Sequence, residues 1–189
     1  IEEARNAALS VRRVVGDHPR VLHLLAMAEA RRGDAAAART AYQGALRKEP
    51  NDPIIHGSFA GFLADQGEIE AALKHHGRAV ALAPQKYDFR YNRALLLHKI
   101  GRLDEALADL DKAAAGQPND GKIHSARGSA LRTLGRFRDA AAAYDRALAL
   151  DPKRLPALLG RATVAKERGE ENAPAFYRRA LATQPNHPD

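Results

Sequence analysis

Cysteine and tryptophan are both absent from this chain of 189 residues, and aromatic residues make up only 5% of it. Without cysteine there is no disulfide, no thiolate zinc site and no cysteine nucleophile. No apolar run approaches the roughly 18 residues that a transmembrane helix needs, and no signal peptide is recognisable. A cysteine-free sequence is compatible with the cytoplasm, which we favour slightly, and with the periplasm.

The apolar residues are mainly alanine and leucine, which lose little conformational freedom in a helix, and β-branched residues are few. This composition predicts an all-α protein, and its richness in alanine and arginine suggests a bacterial source. The net charge of +7 predicts acidic partners but carries no information about the fold.

The dominant feature of the sequence is a repeat with a period of 34 residues. The recurring residues are a glycine (Gly33, Gly67, Gly101, Gly135, Gly169), a small residue (Ala26, Ala60, Ala94, Gly128, Ala162), two alanines (Ala38, Ala72, Ala106, Ala140 and Ala45, Ala79, Ala113, Ala147) and a proline (Pro50, Pro84, Pro118, Pro152). Glycine adopts the left-handed conformation that ends a helix, proline cannot continue a helix, and small residues let two helices approach closely. Each unit is therefore predicted to be two antiparallel helices, and successive units must stack to bury their apolar faces.

This pattern resembles the tetratricopeptide repeat. The chain keeps the family's small, alanine and proline sites, and it has Tyr42, Leu110 and Tyr144 at the second-helix aromatic site. It departs from the family at the bulky first-helix site, which holds Leu22, His56, Arg90, His124 and Leu158 instead of tryptophan. The resemblance implies a right-handed α-solenoid of antiparallel helix pairs whose first helices line a concave face.

The period divides the chain into a truncated repeat and five further repeats, which we expect to form one continuous domain. Residues 1–18 are predicted to be the second helix of the truncated repeat, and the repeats follow at 19–52, 53–86, 87–120, 121–154 and 155–189, the last being one residue short and followed by a tail. We expect a fragment of a longer protein. Apolar residues at its two ends are then expected to be uncovered, which predicts end-to-end self-association. These residues are Val11, Val14, Val15, Phe176, Ala180 and Leu181.

No catalytic site is recognisable in the sequence. The serines lie on predicted helices without a strand-to-helix elbow, and the glycines follow the repeat instead of forming a phosphate-binding loop. Of the eight histidines, His75 and His76 are neighbours on a helix and point about 100° apart, and no His-Glu-x-x-His pattern is present. We therefore predict no enzymatic activity, no cofactor and no metal ligands.

Two charged columns rise together along the repeats. Arginine occurs at 93, 127 and 161, and aspartate occurs on second helices at 111 and 145. The pairs predicted within repeats are Arg93–Asp111 and Arg127–Asp145, and the pairs predicted between repeats are Arg127–Asp111 and Arg161–Asp145. The sequence does not choose between these two sets, and each of them leaves one arginine without a partner.

The predicted concave face is mixed polar and mildly basic. It suits an extended or helical peptide, or a protein segment, that carries acidic groups. The predicted partner-binding residues are Arg20, His23, Met27, Arg31, Asp88, Tyr91, Asn92, Leu95, His98, Lys99, Lys122, Ser125, Ser129, Arg132 and Lys166. The same stripe continues through Ile54, Ser58, Gly61, Asp65, Leu159 and Thr163.

The predicted function is therefore a protein–protein interaction scaffold that binds a peptide or protein segment in the concave groove, and three other functions compete with it. The carboxylate clamp of chaperone adaptors is rejected, because only Asn92 and Lys122 match its five positions. Nucleic-acid binding is disfavoured, because the positive residues are dispersed among acids and few aromatics are present to stack bases. The remaining alternative is the non-catalytic arm of a larger glycosyltransferase, sulfotransferase or hydroxylase.

Overall fold

A computed structural model describes residues 2–183, which form eleven α-helices and no strand. In chain order the helices are α1 (Glu2–Val15), α2 (Pro19–Arg32), α3 (Ala35–Lys48), α4 (Pro53–Asp65), α5 (Ile69–Leu82), α6 (Tyr87–Lys99), α7 (Leu103–Gly116), α8 (Gly121–Thr133), α9 (Phe137–Leu150), α10 (Leu155–Glu167) and α11 (Ala173–Ala182). The even-numbered helices are the first helices of the repeats and the odd-numbered helices are the second. The tail predicted after the fifth repeat lies outside the described residues from 184 onward.

The chain divides into two compact units, which are described separately. Unit 1 is Ile1–Phe89 and unit 2 is Arg90–Asp189. Within unit 1, α2 packs on α1 and α3, and α4 packs on α5. Within unit 2, α8 packs on α7 and α9, and α10 packs on α9 and α11. The described part of each unit is therefore built from helical hairpins that share their cores with their neighbours.

The predicted turn glycines all adopt the left-handed backbone conformation. Their φ angles lie between 67° at Gly169 and 85° at Gly33. At Gly33 the backbone N–H groups of the turn bond back to Ala30 and Glu29 in the last turn of α2, which satisfies carbonyls that the helix end leaves free. A side chain at this φ would be strained, so glycine is required by backbone sterics.

The small-residue columns mark the places where helices cross most closely. Ala26, Ala60, Ala94 and Ala162 are completely buried on first helices, and the second-helix alanines that were predicted to face them are also completely buried. Aspartate side chains cap several helix starts. Asp52 accepts from the backbone N–H groups of Ile54 and Ile55 at the start of α4.

The two units have differently built cores. In unit 1 the rings of Tyr42 and Phe59 stack with centroids 5.0 Å apart, and Phe62 packs beside them. In unit 2 the core cluster is mainly aliphatic and includes Leu131 and Leu158 around a single buried tyrosine, Tyr144.

The prediction of uncovered apolar residues at the chain ends is only partly correct. Val14 is 85% exposed and Leu181 is 69% exposed, as expected. Ala180 is buried, and Phe176 packs against the unit 2 core with the Arg161 guanidinium 4.8 Å from its ring centre. Those two residues were wrongly expected to be bare, because they lie on the side of α11 that faces α10. End-to-end association stays a prediction that Val14 and Leu181 still support.

Of the three arginines in the charged column, Arg127 and Arg161 pair with aspartates of the preceding repeat, and Arg93 pairs within its own repeat. Arg127 Nε donates to Asp111 at 2.6 Å, and Arg161 Nε donates to Asp145 at 3.0 Å. The expectation that one arginine lacks a partner is wrong, because Arg93 makes a two-pronged contact with Asp109 at 2.6 and 2.7 Å. Asp109 is 4% exposed, so this pair is the most enclosed of the three.

Candidate functional site

Four side chains line up along one side of α8. Lys122, Ser125, Ser129 and Arg132 are spaced three, four and three residues apart, which places them on a common helix face. All four were predicted from the repeat register, and all four line one pocket in unit 2. Ser125 is 6% exposed and lies at the base of this stripe, while Lys122 is exposed.

That pocket, called the unit 2 pocket below, lies between α6, α8 and α10 and has a volume of about 400 Å³. Its lining residues are Tyr91, Leu95, Lys122, Ser125, Ala126, Ser129, Arg132, Tyr144, Arg154, Pro156, Leu159, Gly160 and Thr163. Leu95 is 43% exposed and Leu159 is 44% exposed, so both flanks offer apolar surface to a ligand. The pocket therefore combines apolar flanks with a polar stripe.

The electrostatics of the unit 2 pocket favour an anion. Three of its lining residues are cationic, and none of the described residues that line it carries a carboxylate. The Lys122 ammonium lies 5.8 Å from the centre of the Tyr91 ring and forms an ion pair with Asp120 at 3.5 Å, which contributes little because Lys122 is exposed to solvent. Arg154 is already held by Asp151 at 3.2 Å, so Lys122 and Arg132 are the cations available to a ligand.

Tyr144 of α9 forms the floor of the unit 2 pocket. Its ring lies against the backbone of both neighbouring first helices: a Cβ at Gly128 would lie 2.8 Å from the ring, and a Cβ at Gly160 would lie closer still. Burial raises the pKa of the Tyr144 hydroxyl, and the Arg132 guanidinium and the Ser129 hydroxyl act against this with smaller effects. The tyrosine therefore stays neutral, and its hydroxyl group is hydrogen-bonded to the Arg132 guanidinium at one end of the stripe.

Several lining residues of this pocket were not predictable from the repeat register. Tyr144 lies on a second helix, and Arg154 lies in the loop before α10. Gly160 lies on α10 but outside the predicted stripe. The occurrence of glycine at 128, where the other repeats have alanine, was the available signal that an aromatic ring approaches the first helix.

The remaining predicted residues of unit 2 lie outside the pocket. Asn92, Lys99 and Lys166 are exposed on α6 and α10. His98 Nε2 lies 3.2 Å from the Thr133 hydroxyl, which links the ends of α6 and α8. Binding roles for these four residues stay predictions.

The predicted residues of unit 1 do not converge on one pocket. Met27 and Arg31 line an apolar pocket of about 300 Å³ between α1 and α2, together with Val11 and Leu24. His23 packs 6.0 Å from the Tyr42 ring, and burial lowers its pKa.

Arg20 and Asp88 are exposed near the starts of α2 and α6. Partner-binding roles for the five predicted residues of unit 1 therefore stay predictions.

Two histidines of unit 1 form a hydrogen-bonded pair. His56 Nε2 lies 3.0 Å from the Pro50 carbonyl oxygen, so it donates, and this leaves Nδ1 of neutral His56 as an acceptor. Nδ1 of His75 lies 2.8 Å away and supplies the proton. No group of three or more histidine, cysteine or acidic residues able to hold a metal occurs within residues 2–183. His56 thus replaces the family's bulky residue with a side chain that ties the helix to the preceding turn.

The His75 imidazole makes the stability of unit 1 depend on pH. Its pKa is lowered from 6.5 to about 4, first by burial and then by repulsion from His56 when that imidazole is protonated and from the Lys74 ammonium. The unfolded chain therefore binds the proton more readily, so stability is full above about pH 6.5 and falls as the pH drops towards 4. Because His75 is only half-buried, solvent screens part of this effect, and we expect the free energy of unfolding to fall by about 1–2 kcal/mol over this pH range.

Urea unfolding between pH 4 and 7 tests this expectation. The slope of unfolding free energy against pH should become shallower in His75→Gln. It should remain largely intact in Lys74→Gln, because burial is the larger cause of the pKa shift. Parallel curves for wild type and His75→Gln would show that His75 carries no such linkage.

No helix within residues 2–183 is long and apolar enough to cross a membrane.

Family models of the tetratricopeptide repeat match most of the chain, at residues 19–61, 63–121 and 125–188. No curated protein sequence matches it.

Solved structures show the same fold at low sequence identity. MamA from Desulfovibrio magneticus RS-1 matches with a TM-score of 0.80 and 19% identity over 90% of this chain and 97% of that chain. PilF of Pseudomonas aeruginosa matches with a TM-score of 0.79 and 16% identity over 98% and 94%. YrrB, described as a TPR protein with an unusual peptide-binding site, matches with a TM-score of 0.74 and 17% identity over 97% and 95%. These likenesses confirm the predicted all-α helical-repeat fold.

Proposed function

Because this chain belongs to the tetratricopeptide repeat family, whose members are generally interaction scaffolds, we propose that it binds a polypeptide segment carrying acidic groups and catalyses no reaction itself. The unit 2 pocket is the proposed binding site. A single observation carries the proposal: the pocket is lined by cations and exposed apolar side chains without any carboxylate among its described residues.

The chemistry of the pocket suits a peptide better than a small molecule. It is an open trough between three helices, with hydroxyl groups along its centre and leucines on both flanks. Charged hydrogen bonds from Lys122 and Arg132 to a carboxylate are roughly twice as strong as neutral ones, and they supply specificity for acidic groups. The apolar flanks supply the burial that holds a chain in place. YrrB, which has the same fold, is described as having a peptide-binding site, and this supports the proposal.

Charge reversal in the pocket tests the proposal. We expect Lys122→Glu combined with Arg132→Glu to weaken capture of acidic peptides on a peptide array by about tenfold or more, since each lost charged contact is worth about 1.5–3 kcal/mol. The matched control is Lys112→Glu combined with Arg138→Glu, which makes the same change of charge on exposed positions of α7 and α9.

The control separates local recognition from net charge. The control protein should retain wild-type capture at physiological ionic strength, because exposed charges further away than about 8 Å are largely screened. Unchanged capture by the pocket variant, or equal losses in both variants, would place the binding surface elsewhere.

A further inference from the structure

Lys122 and Arg132, the two cations proposed to meet a ligand in the unit 2 pocket, lie at opposite ends of one helix. Lys122 is the second residue of α8 and Arg132 is the twelfth. Ten residues of α-helix rise about 15 Å, so the backbone positions of Lys122 and Arg132 stand about that far apart along the trough. Between them the α8 face carries only small side chains, Ser125, Ala126 and Ser129. A ligand that satisfies both cations must therefore span this distance.

The middle of the trough is apolar on both sides. Leu95 of α6 and Leu159 of α10 flank the serine stripe, and each leaves more than two fifths of its surface exposed. Near the start of α8 the Tyr91 ring lies beside the Lys122 ammonium, which completes an aromatic wall at that end. The order along α8 is thus cation, apolar-flanked centre, cation.

An extended peptide matches this order at one particular spacing. A strand rises about 3.3 Å per residue, and alternate side chains point to the same face. Residues i, i+2 and i+4 therefore share a face and cover about 13 Å, which the flexible Lys122 and Arg132 side chains extend to the full span. Carboxylates at i and i+4 would meet the two cations while the side chain at i+2 enters between the leucines.

We infer that the unit 2 pocket selects an extended peptide in which two acidic residues lie four positions apart with a large apolar residue midway between them. This inference rests on the proposed function and specifies the ligand of the same site. A general basic patch would bind peptides with an affinity set by their number of acidic residues. The affinity of this pocket is instead set by the spacing of those residues.

Peptides of identical composition test the spacing. The probe is a fluorescent peptide with Asp-Ser-Leu-Ser-Asp flanked by neutral residues, and its control rearranges the same five residues as Asp-Asp-Leu-Ser-Ser. Fluorescence anisotropy with the full chain should show the spaced peptide binding about tenfold more tightly or better, since the control satisfies only one of the two charged contacts. The preference for the spaced peptide should disappear in Lys122→Gln and in Arg132→Gln, because either peptide can then make only one charged contact with the pocket.

The outcomes separate this inference from the proposed function. If both peptides bind equally and the Lys122→Glu plus Arg132→Glu variant weakens both, the pocket binds acidic peptides without reading their spacing, and only the inference is overturned. If neither peptide binds, the proposed function is overturned as well. A preference that survives both single glutamine variants would also overturn the inference, because the two cations would then not be its source.

Discussion

Leu158→Ala is expected to lower the free energy of unfolding of unit 2 by about 2–5 kcal/mol, the range seen when a fully buried leucine is truncated and its cavity is not refilled. Leu158 of α10 is completely buried and belongs to the core cluster that contains Leu131, Tyr144 and Val164. It occupies the bulky site that tryptophan fills in the family pattern, so the hairpin of the fifth repeat depends on its volume.

The next residue along α10 provides the control. Leu159 has the same side chain but is 44% exposed in the unit 2 pocket, so Leu159→Ala should change stability by no more than about 0.5 kcal/mol. Urea unfolding followed by circular dichroism measures both variants. Equal losses would show that the two leucines are buried to a similar extent in solution. Leu159→Ala should still weaken binding of the spaced peptide, which separates the pocket's role from stability.

Gly160→Ala is expected to destabilise unit 2 by about 1–3 kcal/mol, although alanine is the better helix former. A Cβ at this position would overlap the Tyr144 ring and its hydroxyl group, which form the rigid floor of the pocket. Gly61→Ala is the matched control, because Gly61 also lies inside a first helix and has no atom within 4 Å of its added Cβ. That control should gain up to about 1 kcal/mol from helix propensity.

A second substitution identifies the cause of the Gly160 effect. Leu110 occupies the position in the third repeat that Tyr144 occupies in the fourth, so Tyr144→Leu is a replacement that the fold already accommodates. We expect Gly160→Ala to be much less harmful in the Tyr144→Leu background than in the wild type. Additive losses in the double variant would contradict direct overlap between residue 160 and the tyrosine.

The same three positions of each hairpin carry different chemistry from repeat to repeat. In the second repeat they hold His56, Phe59 and His75, which make a hydrogen bond and ring contacts. In the third repeat they hold Arg90, Arg93 and Asp109, which form a buried ion pair with two arginines. In the fifth repeat they hold Leu158, Arg161 and Phe176, where the guanidinium lies over the ring. A constant backbone geometry thus accepts aromatic, ionic or cation–π contacts at one junction.

The spacing of residues in the chain was enough to predict the repeat, the helix pairs and the turn residues. Glycine at 33 and 67 is demanded by a left-handed backbone, and alanine at 26 and 60 is demanded by the close approach of two helices. These requirements are local, or they recur in every helical hairpin, so they appear in the sequence as a regular period. The α8 stripe was predictable for the same reason, because a helix face follows from spacing alone.

The partners of individual side chains were decided only by tertiary packing. Arg127 lies within one repeat of both Asp111 and Asp145, and the choice of Asp111 depends on the lateral offset between neighbouring hairpins. The same offset brings Tyr144 under Gly160, and the packing of α4 on α5 within one hairpin brings His75 onto His56; no sequence spacing is diagnostic of either contact. An offset between packed helices arises from the volumes of all the side chains at the interface together, so it is a property of the assembled core and not of any single position.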